Sequence, residues 1–210
     1  MERWPARILE EGPEALRPHL LAEAPSVPKT GDFDLNPSGR PPGPVKLTPA
    51  AVLMPIVRRP EPTMLFTRRT PHLARHAGQV AFPGGRMDAA DPHPIATALR
   101  ETAEETGIAA SAVDIAGFLD VYETGSGFAI VPVVGILDPG FTLTPDPGEV
   151  DEVFEVPLAF LLDPANREIR EAAWQDRRGF YYAWTYGPHY IWGVTAGILS
   201  GFVERLKRVS

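Results

Sequence analysis

A chain of 210 residues with 44% hydrophobic residues holds enough apolar material for a folded core, which excludes an intrinsically disordered protein. The formal net charge of −7 argues against a surface that coats nucleic acid, yet it leaves room for a small anionic ligand whose charge is met locally by metal ions. Cysteine is absent, so disulfides, thiolate nucleophiles and zinc–thiolate sites are excluded.

The opening MERWPARILEEG lacks the apolar core of a signal peptide, and no stretch approaches the roughly 18 apolar residues of a membrane helix. A soluble, cytoplasmic protein without a membrane partner is expected. Residues 6–23 read as one or two short helices, with Leu16, Leu20 and Leu21 at helical spacing. Residues 26–44 are rich in Pro, Gly, Asp and Asn and read as an irregular connection. Residues 1–45 therefore form a Pro-rich extension expected to pack on a domain of residues 46–210.

From Lys46 the pattern changes. Residues 47–57 and 64–70 predict two strands, joined as a hairpin by Pro60-Glu61-Pro62. A short strand at 80–82 runs into Pro83-Gly84-Gly85. Residues 94–106 predict a helix, with Pro94 in its first turn and Gly107 just past its end. Ile95, Leu99 and Ala103 recur at four-residue spacing, and with Ala98 and Thr102 beside them they give it an inward face. Strands are expected at 115–122, 128–137 and 153–156, then a turn at Pro157 and a helix to Leu162. Residues 168–170 and 180–186 suggest a late hairpin with Arg177-Arg178-Gly179 near its tip. Residues 194–207 predict a last helix that turns Ile198, Leu199, Phe202 and Leu206 to the core. The elements imply an α/β (α+β) fold, a mixed sheet with helices on both faces.

The helix at 94–106 carries an unfavourable feature. Glu101 and Glu105 lie four apart on one face, and Glu104 flanks them. Like charges at this spacing cost roughly 0.2–0.5 kcal/mol per pair, and the helix dipole disfavours anions near a C-terminus. Arg100 offsets part of this by pairing with Glu104. Divalent cations would offset more, since Mg2+ prefers carboxylate oxygens and lets phosphates complete its shell.

The sequence Arg100-Glu101-Thr102-Ala103-Glu104-Glu105-Thr106-Gly107, with Gly85 before it, resembles the Nudix box. Thr102 stands where an apolar residue is usual. Asp91 replaces the first Glu of the pattern, and one extra residue separates it from Arg100. The resemblance implies an α/β/α sandwich with a mixed central sheet and hydrolysis of a nucleoside diphosphate linked to another group. It implies Mg2+ or Mn2+ held by Glu101 and Glu105. Glu104 would be a third ligand or a base, and the carbonyl of Gly84 a further candidate ligand. Water is a weak nucleophile toward anionic phosphorus, so metal charge and a positioned base are what the chemistry requires. Of the later acidic residues, Glu149 is the favoured candidate for an additional base or ligand, with Glu152 next.

The flanks resemble the signature of coenzyme A pyrophosphatases: Leu65 to Thr70, His76-Ala77-Gly78-Gln79-Val80, Phe82 to Arg86, Tyr122, Thr124, Gly125, Gly127, Phe128, and Tyr190 to Ala196. Ala74 stands where that pattern has Arg, with Arg75 one place later. The resemblance implies a CoA-like nucleotide substrate and a monomer or homodimer. Guanidinium groups suit phosphate recognition, which singles out Arg69 first, then Arg68, Arg75 and Arg86. His76 either contacts phosphate or orients its loop with Gly78. Thr124 and Phe128 bracket a Gly-rich turn that either joins two strands or lets backbone approach the ligand. A broader nucleoside-diphosphate hydrolase is the alternative. A non-catalytic nucleotide-binding module is a third reading, opposed by the retention of mutually repelling carboxylates.

Overall fold

The computed structural model describes residues 8, 10–43, 45–72, 76–174 and 177–208. Its strands are β1 (Pro28–Gly31), β2 (Thr48–Val57), β3 (Thr63–Arg69), β4 (Val80–Ala81), β5 (Gly84–Arg86), β6 (Val113–Phe118), β7 (Val121–Glu123), β8 (Phe128–Leu137) and β9 (Val150–Pro157), which form one mixed sheet, and β10 (Glu168–Trp174), β11 (Arg177–Tyr186) and β12 (His189–Trp192), which form a smaller one. Beyond residue 43, the α-helices among the described residues are α1 (Pro94–Thr106), α2 (Leu158–Leu162) and α3 (Gly193–Arg208).

The centre is the parallel pair β2–β8, in register from Thr48 opposite Phe128 to Val57 opposite Leu137. Both strands read as nearly continuous apolar runs because both of their faces are covered. Met54 and Ile56 face a core shared with α3, whose Ile198, Leu199, Phe202 and Leu206 are all buried there. Ala51 and Leu53 face the other way and pack with Val131, Val133 and Ala98 of α1. The result is an α/β/α sandwich, with α1 on one face and α3 on the other.

The structure corrects three readings. Residues 26–44 are not wholly irregular, because β1 joins the sheet edge parallel to β7. Its sequence, Pro-Lys-Thr-Gly, carries no apolar alternation, since a short edge strand has little to bury. The strand expected at 115–122 is two strands, β6 and β7, both antiparallel to β8, with an irregularity between Ile115 and Gly117. The late hairpin gains a third strand, β12, while Arg177 to Gly179 open β11, with Arg177 opposite Trp174, near the tip as expected. The described part of 6–23 does hold short helices, with helical residues at 8, 10 and 11 and a 3-10 helix over Pro13–His19, in which Pro18 withholds the N–H that a longer helix would use. Leu16 and Leu20 are nevertheless buried, and Leu21 bridges to Phe118 through two backbone hydrogen bonds of 2.9 Å.

The segment after β1 is fastened at both ends. Asp32 accepts from the Tyr122 hydroxyl at 2.8 Å and from the Gly125 N–H at 2.7 Å. Asn36 accepts from the Phe180 N–H at 2.7 Å and donates to its carbonyl at 2.8 Å, as a strand partner would. Arg40 pairs with the largely buried Glu123. This run therefore spans from the turn after β7 to β11.

Candidate active site

Helix α1 is capped as its sequence demands. The His93 ring accepts from the Ala96 N–H at 3.3 Å, and Gly107 takes the left-handed conformation at φ 77° while its N–H bonds the Ala103 carbonyl. The loop before β9 closes the last turn from outside, since the Thr144 and Asp146 N–H groups donate to the carbonyls of Thr106 and Glu105. The fully buried residues are Thr97, Ala98, Thr102, Glu105 and Thr106; the expected Ala98 and Thr102 are among them, and Ile95, Leu99 and Ala103 are half-buried beside them. Thr102 and Thr106 can be buried because each hydroxyl donates at 2.6 Å to the carbonyl four residues earlier.

Beside this face, Glu101 and Glu105 lie against the Gly84–Gly85 turn. Glu101 lies so close to Gly85 that a Cβ there would be 2.6 Å from its carboxyl carbon. The Glu105 side chain is 5% exposed, and its Oε2 has no hydrogen-bond partner. Burial pushes the Glu105 carboxyl up to about 8, the charges of Glu149 and Glu101 add to the rise, and Arg69 and the Gly84 backbone amide oppose it. Glu101 is raised mainly by burial, against the pull of Arg100, with Glu104 and Glu149 adding to the rise. Two shielded carboxylates, one with a buried oxygen left without a hydrogen-bond partner, form a donor set suited to a cation. Hard oxygen donors of this kind fit Mg2+ or Mn2+. Among the described residues no three acidic or histidine side chains form a ready-made cluster. Glu104 is exposed and bonded to Arg100.

Arg100 organises the acidic group. It donates to Asp91 through Nη2 at 2.9 Å and Nε at 3.3 Å, to Glu101 at 2.8 Å and to Glu104 at 3.0 Å. Asp91 reaches Arg100 despite its shorter side chain and the extra residue. The turn brings it there, since Asp91 also accepts from the Asp88 N–H at 3.0 Å and from the Thr97 hydroxyl at 2.9 Å. The guanidinium, with the Asp88 amide, holds the Asp91 carboxyl well below the usual carboxylate range, and Asp91 in turn raises Arg100.

The other expected residues separate into groups. Arg69 lies at the end of β3 with Nη1 3.8 Å from Glu105, and its Nε is buried and unpartnered. Arg68, the next residue along the strand, is held by Asp151 at 2.7 Å and Glu152 at 3.1 Å. Arg86 ends β5, and its carbonyl accepts from Arg100 at 3.4 Å. His76 adopts φ 58° and shares a 2.8 Å hydrogen bond with Gln79, while the Gly78 N–H donates to the Arg69 carbonyl. Arg75 lies outside the described residues. Thr124 is buried, and its hydroxyl accepts from the Phe128 N–H at 2.9 Å, which closes the turn into β8. Glu149 follows the Asp146 turn, its carbonyl accepts from the Thr70 N–H, and its charge reaches both Glu101 and Glu105.

A cavity of about 810 Å³ lies beyond the His76–Gln79 turn, between residues 30–36, the turn at Gly125, β11 and α3. Sequence reasoning missed Asp32, Asn36 and Gly201 here. Their only signal was a Pro-rich segment and a glycine inside a helix.

A family model described as NUDIX domain matches residues 47–178. An uncharacterized Nudix hydrolase, NudL, of Photorhabdus laumondii is 40% identical over 171 residues, covering 80% of this chain and 91% of the relative. Its Escherichia coli K12 namesake is 44% identical over 151 residues, covering 71% and 78%. Among solved structures, a MutT protein from Methanosarcina mazei aligns with a TM-score of 0.50 at 20% identity, over 79% of this chain and 96% of that one, which bears on the fold alone.

Proposed function

The chain belongs to the Nudix family of hydrolases, and from that premise we propose that it cleaves the diphosphate bond of coenzyme A, or of its acylated or oxidised forms, to 3′,5′-ADP and (acyl)phosphopantetheine. The observation that carries the hydrolytic part is the buried Glu105, with Glu101 beside it and Arg69 facing it, on the Gly84–Gly85 turn. The CoA assignment is supported by the resemblance of the segments around that turn, from Leu65 to Arg86, to coenzyme A pyrophosphatases.

In this reading Glu101 and Glu105 hold the divalent cation, which when bound neutralises charge on the phosphate oxygens and lowers the pKa of water. Arg69 binds a phosphate oxygen across from Glu105. Glu149 takes the proton from the attacking water, because its charge bears on both Glu101 and Glu105 while Glu104 is engaged by Arg100. Arg100 positions Glu101 through the bridge from Asp91. Water forms a bond to one phosphorus, the bond to the bridging oxygen breaks, and two phosphate monoesters leave.

The direct test is a substrate panel of CoA, NADH, ADP-ribose and diadenosine polyphosphates with Mg2+ or Mn2+. CoA is expected to show the highest kcat/KM. Equal or faster cleavage of another member removes the CoA assignment and favours the broader nucleoside-diphosphate hydrolase.

The raised Glu105 also sets a pH dependence for the metal-free protein. Its folded pKa, about 8, lies above the ordinary 4.5, so its contribution to stability is complete below 4.5 and is lost as pH rises through 8. A bound cation should offset that loss. Thermal melts in chelator and in Mn2+ are expected to differ by a few degrees more at pH 8.5 than at pH 5. A gap that is the same at both pH values contradicts Glu105 as a metal ligand.

A further inference from the structure

The cavity beyond the His76–Gln79 turn is not part of the carboxylate site, and its walls lie mostly outside residues 47–178. Its volume is within the roughly 300–1,000 Å³ of ligand pockets. It is joined to the diphosphate site through one turn. His76 and Gln79 line the cavity, the Gln79 carbonyl accepts from the Arg69 N–H, and the Arg69 guanidinium faces Glu105. A ligand with its diphosphate beside Glu105 would therefore send one arm along this turn.

The lining says which arm. Leu35, Tyr181, Trp192 and Val194 give apolar and aromatic surface, and the Tyr181 and Trp192 rings meet edge to face at 5.7 Å. Of the charged lining, Asp120 pairs with Arg205 and Lys29, and Glu204 with Arg167 and Lys207, which leaves Asp32 and Asp34 against Arg208. Arg205 is already committed, donating to the His19 carbonyl at 2.7 Å and to Asp120 at 3.2 Å. An arm with a further phosphate would be repelled here, whereas a neutral chain of amide and alkyl groups would not. The wall is also fixed in advance, since Asp32 uses both carboxylate oxygens on Tyr122 and Gly125, and Asn36 grips the Phe180 backbone. A wall ordered before binding loses little entropy when the ligand arrives.

We propose that this cavity receives the neutral amide-and-alkyl arm of the diphosphate substrate, and that residues 32–36 with α3 select substrates by that arm. This rests on the coenzyme A reading, in which the pantetheine arm is neutral and the other arm carries the 3′-phosphate.

Gly201 offers a clean test. It lies within α3, lines the cavity, and a Cβ there meets nothing within 4 Å. Gly201→Phe should fill the cavity without loss of fold, because replacing an interior helix glycine is favourable for the helix. In the folded variant, verified by a melting temperature no lower than wild type, KM for CoA and octanoyl-CoA is expected to rise at least tenfold with kcat within threefold. KM for ADP-ribose, which has no long arm, should change less than twofold. An unchanged KM for octanoyl-CoA overturns the proposal. So does an equal rise for ADP-ribose, which would place the adenine in the cavity instead. Binding of phosphate-free pantetheine, followed by NMR line shifts, separates the two readings. Saturable binding abolished by Gly201→Phe supports the cavity assignment even if CoA is not hydrolysed. Absence of pantetheine binding to the wild type overturns it even if CoA is.

Discussion

Glu105→Gln is expected to lower kcat by about 10³-fold, equivalent to about 4 kcal/mol of transition-state stabilisation, while the protein remains folded. Gln has nearly the same shape and differs in lacking the charge, so the packing of Glu105 against the Gly84–Gly85 turn survives. The wild-type carboxylate is buried, leaves Oε2 unpartnered, and is pushed up to about 8, so its ionised form is a strain on the metal-free fold. Removing that charge should raise the metal-free melting temperature at pH 8.5 while the activity collapses. A stability gain and an activity loss from one isosteric change identify a charge kept for chemistry. Glu104→Gln provides the contrast. Glu104 is exposed and bonds Arg100 at 3.0 Å, so its loss should cost far less rate. Steady-state kinetics at saturating Mg2+ or Mn2+, beside melting curves in chelator, measure both effects. Activity of Glu105→Gln within tenfold of wild type would remove Glu105 from its role.

The sequence was most legible where one local rule decided the outcome. Helix α1 runs from Pro94 to Thr106 as the proline and Gly107 require, and the central strands β2 and β8 follow from their apolar runs. The acidic group was legible because glutamates at 101, 104 and 105 conflict with the helix they occupy. What escaped depends on contacts distant in sequence. The burial of Thr97, Glu105 and Thr106 on α1 escaped because they are polar; Thr106, like Thr102, satisfies its hydroxyl on the helix backbone. The reach of Asp91 to Arg100 is set by a turn whose geometry no residue spacing states. Strand β1 and Asp32 were hidden among prolines and glycines because an edge strand buries little, and Tyr122 reveals the value of Asp32 only once they meet. Arg69 stood ahead of Arg68 as a phosphate ligand, though the sequence did not show how their surroundings differ. Neighbours on a strand point to opposite faces, and here one meets Asp151 and Glu152 while the other faces Glu105.

The two glycines of the turn should fail in opposite ways. Gly84 has φ 151°, and a Cβ there would press on the Ala51 carbonyl and come within 2.6 Å of the Val52 Cα. Both obstacles are backbone of the central strand β2, which pairs with β8 on one side and β5 on the other and cannot yield. Gly84→Ala is therefore expected to destabilise the protein by about 3 kcal/mol or more, through overpacking and forbidden backbone geometry together. At Gly85 the obstacle is the Glu101 carboxylate, with Cδ at 2.6 Å and Oε1 at 2.7 Å from the added atom. That is the far end of a flexible side chain, and it moves aside at small cost to the fold. Moving it, however, breaks the 2.8 Å bond from Arg100 and takes one of the two shielded carboxylates out of place, and misplacement by an ångström at a reacting centre costs about 100-fold in rate. Gly85→Ala should thus retain its melting temperature within a few degrees while losing activity about 100-fold, and Gly84→Ala should lose soluble, folded protein first. Melting temperature and kcat measured on both variants decide the matter. Normal activity in a folded Gly85→Ala would show that Glu101 does not need its position against this turn, and the two-carboxylate site would have to be redrawn around Glu105 alone.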